Sequence, residues 1–369
     1  MIRKFNKYIK ESNEINLQYM AMDWDDNILH MPTVIHMDNL VDGNWIPVDV
    51  STADFAKVRV DKENWRMRNE SATEAFCEFR DFGPRGRDAF IDDVKISISE
   101  GEFGPSWDAF IECLSNGIIF SIITARGHEP ETLKRGVEYI IDNVLSSEEK
   151  QSLYSHCIKF SYLFNSDYDS YDRIAKGKLS QTRLITDYLN ECEFFGVSST
   201  TFINKFKLGD ASNPELAKEL ALKFFTDKIN DFGKKVGAKS ISLGFSDDDI
   251  RNVNHVEKVF RNELSLKYAM KYNIYNTSDR SIKGGIRTKI HPEEPNPIIS
   301  ESAFGNGDSN WGMESSVLPF TKWNNMTQKF YPSSDNTLDD RHNFFKNEIG
   351  QLKDLTDKKK VLRDVKRKK

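Results

Sequence analysis

Residues 18–29, QYMAMDWDDNIL, carry the clearest indication of the fold of this chain. The first five of these residues form a mostly apolar run that is typical of a buried strand, and the run stops at Asp23. Two more carboxylates, Asp25 and Asp26, follow directly. In proteins with a parallel α/β sheet, functional sites form at the carboxyl ends of the strands, so we expect a site here.

Two further predicted strands end in polar residues in the same way. The apolar run Ile118–Ile123 is followed by TARGH at residues 124–128, and the alternating run Ile241–Phe245 by SDDD at residues 246–249. If the three strands are parallel neighbours, their carboxylates crowd one edge of the sheet. An isolated Asp-x-Asp is more often a turn. Three clusters at three strand ends instead favour a site for a hard cation, and Mg²⁺ prefers such oxygen ligands.

Helices and strands alternate along the middle of the chain. The pattern predicts helices around residues 107–114, 130–145, 179–192, 214–232 and 253–263, and two more strands over 158–164 and 267–276. This alternation predicts an α/β fold with a Rossmann-like parallel sheet. After Thr277 the composition becomes rich in Gly, Pro, Asn and Ser. We therefore expect a core over 18–277 and a polar C-terminal arm over 278–369 that ends in a charged helix.

Composition and charge narrow the class of protein. No run of eighteen apolar residues occurs, so no membrane span is predicted, and the first residues lack the apolar region of a secretory signal. The four cysteines have no zinc-ligand spacing, which indicates a cytoplasmic protein. Residues 353–369 carry nine Lys or Arg against three Asp, a local +6 within a net charge of −5, so the rest of the chain carries −11. An acidic body argues against a nucleic-acid surface over the whole protein, and the missing P-loop excludes a fused kinase.

The strand-end motifs resemble those of the haloacid dehalogenase (HAD) superfamily of phosphohydrolases. Residues 23–29, DWDDNIL, are similar to its first motif, DxDx(T/V)L, with Asn27 in the usual place of threonine or valine. Ile122-Ile123-Thr124 resembles the second motif, a threonine or serine at a strand end, and residues 241–249 resemble the fourth. The resemblance covers about residues 18–277 and implies an HAD core.

The resemblance also implies a role for each site residue. Asp23 would attack phosphorus to form an aspartyl-phosphate, and Asp25 would protonate the leaving oxygen and later deprotonate water. Thr124 would hydrogen-bond the phosphoryl oxygens, and Lys218, or in its place Lys207, would neutralise the developing charge. The remaining assignments are Mg²⁺ bound by Asp23, Asp25, Asp247 and Asp248, and substrate contacted by Arg126 and His128.

The fourth motif departs from the family pattern. Family members commonly have glycine, then aspartate, then a second aspartate some four residues later, whereas here Phe245 follows Gly244. Asp247 and Asp248 could supply the metal ligand in a shifted register. If they do not, the chain would be a non-catalytic member, and Asp249 would be only a helix cap.

The distance between the first two motifs predicts an insertion. Asp25 and Thr124 are nearly a hundred residues apart, far more than one crossover needs. We expect a cap over about residues 31–102, which in the resembling family shields the site and selects the substrate. Gly127, beside the second motif, is expected to permit a tight turn. The basic and aromatic residues of the cap either meet a phosphorylated substrate or form a solvated face: Arg59, Trp65, Arg66, Arg68, Arg80 and Arg85.

A second resemblance concerns the first residues. MIRKFNKYIKES, residues 1–12, is similar to the amphipathic leader of some proteins of large tailed phages, and residues 9–11 suit the apolar-x-Glu preference of a phage maturation protease. The alternative is an ordinary surface helix with Ile2, Phe5 and Ile9 packed down. A leader over 1–17 would imply a phage-encoded protein of the host cytoplasm or the virion.

Two functions remain open from the sequence. The first is a Mg²⁺-dependent phosphomonoester hydrolase that acts on a phosphorylated small molecule, a nucleotide or a nucleic-acid end. The second is a non-catalytic HAD-like structural or virion-associated protein that docks on phage virion proteins through its C-terminal arm. The intact Asp-x-Asp and Thr124 favour the first function, and Phe245 and the long arm favour the second.

Overall fold

The computed structural model describes residues 16–86, 88–164, 181–208, 213–291 and 300–302. The predicted leader before Asn16 and the predicted charged helix at the C-terminus lie outside these residues. The strands are β1 (Asn16–Met22), β2 (Ile35–Val41), β3 (Asn44–Val50), β4 (Trp65–Met67), β5 (Phe120–Thr124), β6 (Glu193–Gly196), β7 (Ser240–Asp247), β8 (Lys271–Asn276), β9 (Ile286–Ile290) and β10 (Ser300–Ser302).

We number the described helices of four or more residues in chain order. They are α1 (Thr52–Val58), α2 (Ala72–Ala75), α3 (Ala89–Glu100), α4 (Trp107–Ser115), α5 (Pro130–Asn143), α6 (Ser147–Phe164), α7 (Gln181–Glu191), α8 (Thr200–Phe206), α9 (Pro214–Val236) and α10 (Ile250–Val259). A π-helical turn, Phe260–Leu264, continues α10. None of the helices in the described part of the chain combines the length and the apolar content needed to cross a membrane.

Within the described residues, seven strands form the main sheet, in the order β10-β9-β8-β7-β1-β5-β6. The strands from β8 to β6 are parallel, and β9 and β10 each pair antiparallel with a neighbour. Counted along the chain, the parallel strands stand in the order 5-4-1-2-3, which is the 3-2-1-4-5 order of a doubly wound sheet viewed from the other side. The prediction of an α/β fold with a Rossmann-like parallel sheet is confirmed.

The centre of the sheet explains the apolar runs of the sequence. Leu17–Met22 of β1 and all of β5 are buried, as strands covered by helices on both faces must be. The ring of Tyr19 on β1 meets Phe225 of α9, and the ring of Phe120 on β5 meets Phe110 of α4. The strand order reverses between β1 and β7, so the topological switch point lies at the first motif.

One predicted strand is wrong. Residues 158–164, which were expected to form the third parallel strand, are the last residues of helix α6. The third strand is β6, four residues long, and it pairs with β5 over Ser121–Thr124. A short apolar run does not distinguish a strand from a buried helical segment, and β6 is too short to show an alternating pattern of its own.

The sheet continues past the predicted end of the core at Thr277. Strand β9 pairs with β8 from Tyr272 to Asn276, and Ile290 on β9 is completely buried. Arg287 on the same strand is also buried. The polar composition after Thr277 hid this strand, because only alternate residues of an edge-proximal strand face the core.

Between β1 and β5 the chain forms a small unit, residues 35–79, that we call the insert. Its strands β3-β2-β4 make a separate antiparallel sheet, covered by α1 and α2. The insert has its own apolar cluster, formed by Ile35, Met37, Val50, Ala75 and Phe79. Helix α3 follows it in the sequence but packs in the main core through Phe90, Ile91 and Val94.

Candidate functional site

The carboxyl ends of β1, β5 and β7 lie side by side. Met22 is in register with Ser246 of β7 on one side and with β5 on the other. The backbone N–H of Asp23 donates to the carbonyl oxygen of Ser246 over 3.0 Å. Asp23 therefore leaves the sheet between Asp247 and Thr124, at the switch point where doubly wound sheets bind their ligands.

Lys218 joins two of these strand ends from helix α9. The helix begins at Pro214 after the cap residue Asn213, and Lys218 lies one turn on. Its Nζ atom is 2.7 Å from Oδ2 of Asp247 and 3.1 Å from Oδ1 of Asp23, and the side chain is almost completely buried. Burial alone would lower the pKa of Lys218, but the charges of Asp23 and Asp247 outweigh burial and hold this pKa above the ordinary lysine value.

Asp23 has an environment that disfavours its own charge. The residue is 6% exposed, and this burial raises its pKa, while Lys218 pulls the pKa down and Asp247 and Asp25 push it up. The balance raises the pKa of Asp23 to about 8. A carboxyl group in this state gains from any additional cation placed beside it, because a cation stabilises the ionised form.

Asp247 and Asp248, next to each other at the end of β7, are held differently. Asp247 is completely buried, and its Oδ1 atom accepts the backbone N–H of Asp249 over 2.9 Å and Nδ2–H of Asn252 over 3.0 Å. The side chain of Asp248 makes no hydrogen bond or ion pair within the described residues. Burial raises the pKa of Asp248 well above its ordinary value, and the charges of Asp247 and Asp23 raise it further.

The three carboxylates fit a divalent metal ion. One oxygen each of Asp23, Asp247 and Asp248 lies within 4.8 Å of the other two. Three ionised carboxylates beside the Lys218 ammonium leave two negative charges, which a divalent cation would neutralise. The donors are all carboxylate oxygens, the set that suits Mg²⁺ rather than a thiolate-preferring or imidazole-preferring metal.

Asp25, also predicted as a metal ligand, is bound by Arg126. Nη2 of Arg126 donates to Oδ1 over 2.6 Å and Nε donates to Oδ2 over 2.8 Å, while the Thr124 hydroxyl lies 3.4 Å from Oδ2. Arg126 is 1% exposed, and its guanidinium lies 4.6 Å from the ring centre of Phe79 and 5.4 Å from that of Phe90. In this bidentate pair, both carboxylate oxygens of Asp25 accept hydrogen bonds from Arg126. The guanidinium of Arg126, which was predicted to bind substrate, is therefore paired with Asp25.

His128, the second predicted substrate contact, lies away from the strand-end carboxylates. It is 1% exposed and packs against Phe90 with the ring centres 5.0 Å apart. Burial lowers the pKa of His128 to about 2, and the positive charge of Arg126 adds to the effect, so the imidazole is neutral. The residue does not line the cavity described below.

Asn27 ties the strand ends together, a role that the sequence analysis did not assign to it. Its Nδ2 atom donates to the carbonyl oxygen of Asp23 over 2.9 Å and to the hydroxyl of Ser246 over 3.0 Å. Its Oδ1 atom accepts the hydroxyls of Ser106 over 2.5 Å and Thr277 over 2.8 Å. Only a side chain with donors and an acceptor satisfies all four groups. The sequence did contain an indication of this role, because Asn27 stands where the resembling family has threonine or valine.

The register of β7 decides how Phe245 is to be interpreted. Phe245 pairs with Ala21 and is completely buried, two residues inside the strand end. The carboxylates at the level of Asp23 are Asp247 and Asp248, as the shifted register required. Phe245 therefore lies inside the sheet, two residues before the acidic cluster of Asp23, Asp247 and Asp248 begins on β7. Asp249 does cap a helix, α10, and its side chain also pairs with Arg59.

A cavity of about 880 Å³ opens over these strand ends. Its sheet side is lined by Asp23, Asp25, Thr124, Lys218 and Asp248, and its other side by residues of the insert, including Ile35, Phe55, Met67 and Phe76. This volume lies within the range of about 300–1,000 Å³ that is typical of small-molecule sites. The alternative lysine, Lys207, is exposed at the end of α8 and does not line the cavity.

The basic residues predicted for the cap divide into two groups. Arg59 and Arg80 line the cavity. The others form ion pairs or pack elsewhere: Arg66 with Asp38 and Glu70, Arg68 with Asp38 and Asp49, Arg85 with Glu78 and Asp93, and Trp65 on β4 against the apolar cluster of the insert.

Comparison of the chain with protein-family models, with curated proteins and with solved structures gives no match.

Proposed function

We propose that this protein is a Mg²⁺-dependent phosphomonoester hydrolase of the HAD type that works through an aspartyl-phosphate on Asp23. The observation that carries the proposal is the buried lysine Lys218, whose Nζ atom lies 3.1 Å from Asp23 and 2.7 Å from Asp247. Three distant segments of sequence supply these groups, and the family resemblance assigns each of them a part in the same reaction. The doubly wound strand order, with the group at its switch point, supports the proposal.

The first half of the proposed reaction forms a bond between Asp23 and phosphorus. A carboxylate oxygen of Asp23 attacks the phosphorus atom, and the bond from phosphorus to the leaving oxygen breaks. Lys218 offsets the negative charge that spreads over the phosphoryl oxygens, and the hydroxyl of Thr124 donates to one of them. Water then attacks the same phosphorus atom, phosphate leaves, and the carboxylate of Asp23 is restored.

Asp25 would act as the general acid when the aspartyl-phosphate forms and as the general base when water hydrolyses it. Held by Arg126, it presents only acceptors, which suits the step in which it takes a proton from the attacking water. Protonation of the leaving oxygen requires the carboxylic acid form of Asp25. Leaving groups of low basicity need this proton least, so aryl and acyl phosphates should react fastest.

Asp23, Asp247 and Asp248 would hold the metal ion. When bound, Mg²⁺ supplies positive charge at the phosphoryl oxygens and brings an anionic substrate to an edge that is otherwise rich in carboxylates. Asp248 fits this role best among the three, because its side chain has no partner of its own in the described residues.

The insert would act as the cap of the site. It covers the sheet edge and forms one wall of the 880 Å³ cavity. Polar contacts fix its position: the hydroxyl of Thr52 donates to Oδ2 of Asp26 over 2.6 Å, and Nη2 of Arg59 lies 2.9 Å from Oδ2 of Asp249. A cap of this kind excludes water and contacts the leaving group.

A phosphatase assay with an aryl phosphate tests the proposal. Wild-type protein with Mg²⁺ should hydrolyse the ester, and a chelator should abolish the activity. Asp23→Asn should lower kcat by at least roughly a thousand-fold, because an amide cannot serve as the anionic nucleophile. Asp54→Asn, on the exposed side of α1, is the matched control and should leave kcat unchanged. Hydrolysis that survives in Asp23→Asn, or that needs no metal, would contradict the proposal.

A further inference from the structure

The cavity is much larger than a phosphoryl group requires. The proposed chemistry takes place at the buried sheet edge, around Asp23 and Lys218, whereas the cavity extends to Phe55, Phe76 and Arg80 of the insert and its border. The remaining space is that of a small molecule. The residues that line this remaining space therefore indicate which leaving group the cavity fits.

The insert contributes an aromatic and aliphatic wall. The rings of Phe55 and Phe76 are half-buried and meet edge to face, with their centres 5.3 Å apart, and Ile35 and Met67 line the cavity beside them. Aromatic side chains at the side of a cavity bind flat rings by stacking and edge contacts. This wall fits a heterocyclic base better than a sugar or a polyol, which would leave its hydroxyl groups unpaired against it.

Arg80 differs from the other cations of the cavity. Among the described residues that line it, Arg59, Arg126, Arg251 and Lys218 each pair with at least one carboxylate. The Arg80 side chain is exposed and makes no hydrogen bond or ion pair with the described residues. Its charge is therefore available to an anionic group of a ligand.

The stem of Arg80 is held in place over the turn that follows β5. A Cβ atom added to Gly127 would lie 3.1 Å from Cγ of Arg80 and 3.1 Å from the carbonyl oxygen of Ser198. The φ angle of Gly127 is not in the left-handed region. Glycine at position 127 is thus favoured by close approach, because a Cβ atom there would crowd Arg80 and Ser198. Cγ of Arg80 therefore lies close to the backbone of Gly127, and Arg80 lines the cavity together with Phe79.

We propose that the cavity binds a nucleoside bisphosphate. One phosphate lies at Asp23, the base lies against Phe55 and Phe76, and the second phosphate pairs with Arg80. Which phosphate is hydrolysed rests on the proposed function, but the binding does not. The free nucleotide is favoured over a long nucleic-acid strand, because the chain outside its basic C-terminal residues carries a net charge of −11.

Calorimetric titration of full-length Asp23→Asn protein with Mg²⁺ tests this binding without turnover. Adenosine 3′,5′-bisphosphate should bind at least about tenfold more tightly than AMP, because Arg80 makes a charge-assisted pair with the second phosphate. AMP should bind at least about tenfold more tightly than ribose 5-phosphate, because the base stacks on the insert. Adding Arg80→Gln should bring the first ratio close to one and leave the second unchanged.

Arg66→Gln is the matched control, since Arg66 is on the insert but does not line the cavity. It should leave both ratios as they are. A bisphosphate-to-AMP ratio near one, a ratio that survives Arg80→Gln, no binding of any of the three ligands, or tighter binding of a 5′-phosphorylated oligonucleotide than of the bisphosphate would each overturn the inference. If the predicted ratios hold but wild-type protein hydrolyses no phosphomonoester, the binding inference stands and the proposed function fails.

Discussion

The two walls of the cavity are built in opposite ways. On the sheet side, Asp23, Asp247 and Lys218 are at most 6% exposed and are held by one another at the ends of fully buried strands. On the other side, the insert has a small apolar cluster and half-buried rings at Phe55 and Phe76, and the exposed Arg80 follows it directly in the chain. Under the proposed function, the groups that take part in the chemistry belong to the main core, whereas the groups that would contact the leaving group belong to the insert and its border.

The attachments of the insert support this interpretation. Asp26, at a positive φ of 55°, accepts from the hydroxyl of Thr52 at the start of α1. Arg59 reaches across to Asp249 on the sheet side. These are polar contacts at the margin of the cavity, and each of them is worth far less than the apolar burial that fixes the strands.

The greatest loss of stability is expected from a substitution in the main sheet. Phe245→Asp should lower the free energy of unfolding by about 3–5 kcal/mol or more, because it removes a completely buried ring and places a carboxylate opposite Ala21. It should not strengthen Mg²⁺ binding, since position 245 is inside the sheet. Phe82→Asp is the control: Phe82 is 93% exposed, and its change should stay within about 0.5 kcal/mol. Urea unfolding and calorimetric Mg²⁺ titration give the two readouts. Unchanged stability or tighter Mg²⁺ binding in Phe245→Asp would show that the register is wrong.

The second prediction concerns the pH dependence of stability that results from the buried Asp23. The pKa of Asp23 is about 8 in the fold and 3.8 ordinarily, so the folded state binds the proton more tightly than the unfolded state. This contribution to stability is present in full below about pH 4 and is lost as the pH rises through about 8, a fall on the order of a few kcal/mol in metal-free protein. Saturating Mg²⁺ should remove most of the fall, because the metal stabilises the ionised carboxylate. Thermal unfolding from pH 5 to 9 checks this.

Asp23→Asn is the control for the pH dependence. Its metal-free stability should fall less between pH 5 and 9 than that of the wild type. An identical decline in both proteins would mean that Asp23 is ionised over the whole range and that its environment has been misjudged.

The smallest expected effect concerns the insert. Arg59→Gln removes the ion pair with Asp249, which is only partly buried, so the free energy of unfolding should fall by less than about 1 kcal/mol. The insert should then hold the leaving group less well, and KM should rise a few-fold with kcat nearly unchanged. Lys57→Gln is the control: Lys57 is exposed on α1, the helix that Arg59 follows, and its substitution should change neither KM nor kcat. A large drop in kcat for Arg59→Gln would place the insert within the catalytic machinery.

The sequence predicted the parts of this site that follow from local pattern. Apolar runs ending in polar residues, continuous for β1 and β5 and alternating for β7, located the three strands. The Ser-Asn-Pro signal at 212–214 located the start of α9 and thereby Lys218. The end of β7 differs from the prediction, because the strand continues to Asp247 and does not stop at Phe245.

Other features depended on contacts between distant residues. The commitment of Arg126 to Asp25 and the burial of His128 against Phe90 are tertiary contacts that no local pattern encodes. Strand β6 was missed because four residues carry too little pattern, and β9 was missed because its composition is polar. The sequence left two interpretations of Phe245 open, because motif spacing does not give the register, which the pairing of β7 with β1 fixes.

Trapping the covalent intermediate tests whether Asp23 forms an aspartyl-phosphate. Wild-type protein is mixed with an aryl phosphate and Mg²⁺, quenched with borohydride, which reduces an acyl phosphate to an alcohol, and digested for peptide mass spectrometry. We expect residue 23 to be converted to homoserine only when substrate and Mg²⁺ are both present, with Asp25, Asp247 and Asp248 unmodified. Hydrolysis that proceeds with Asp23 unmodified, or with the modification on another carboxylate, would contradict the account.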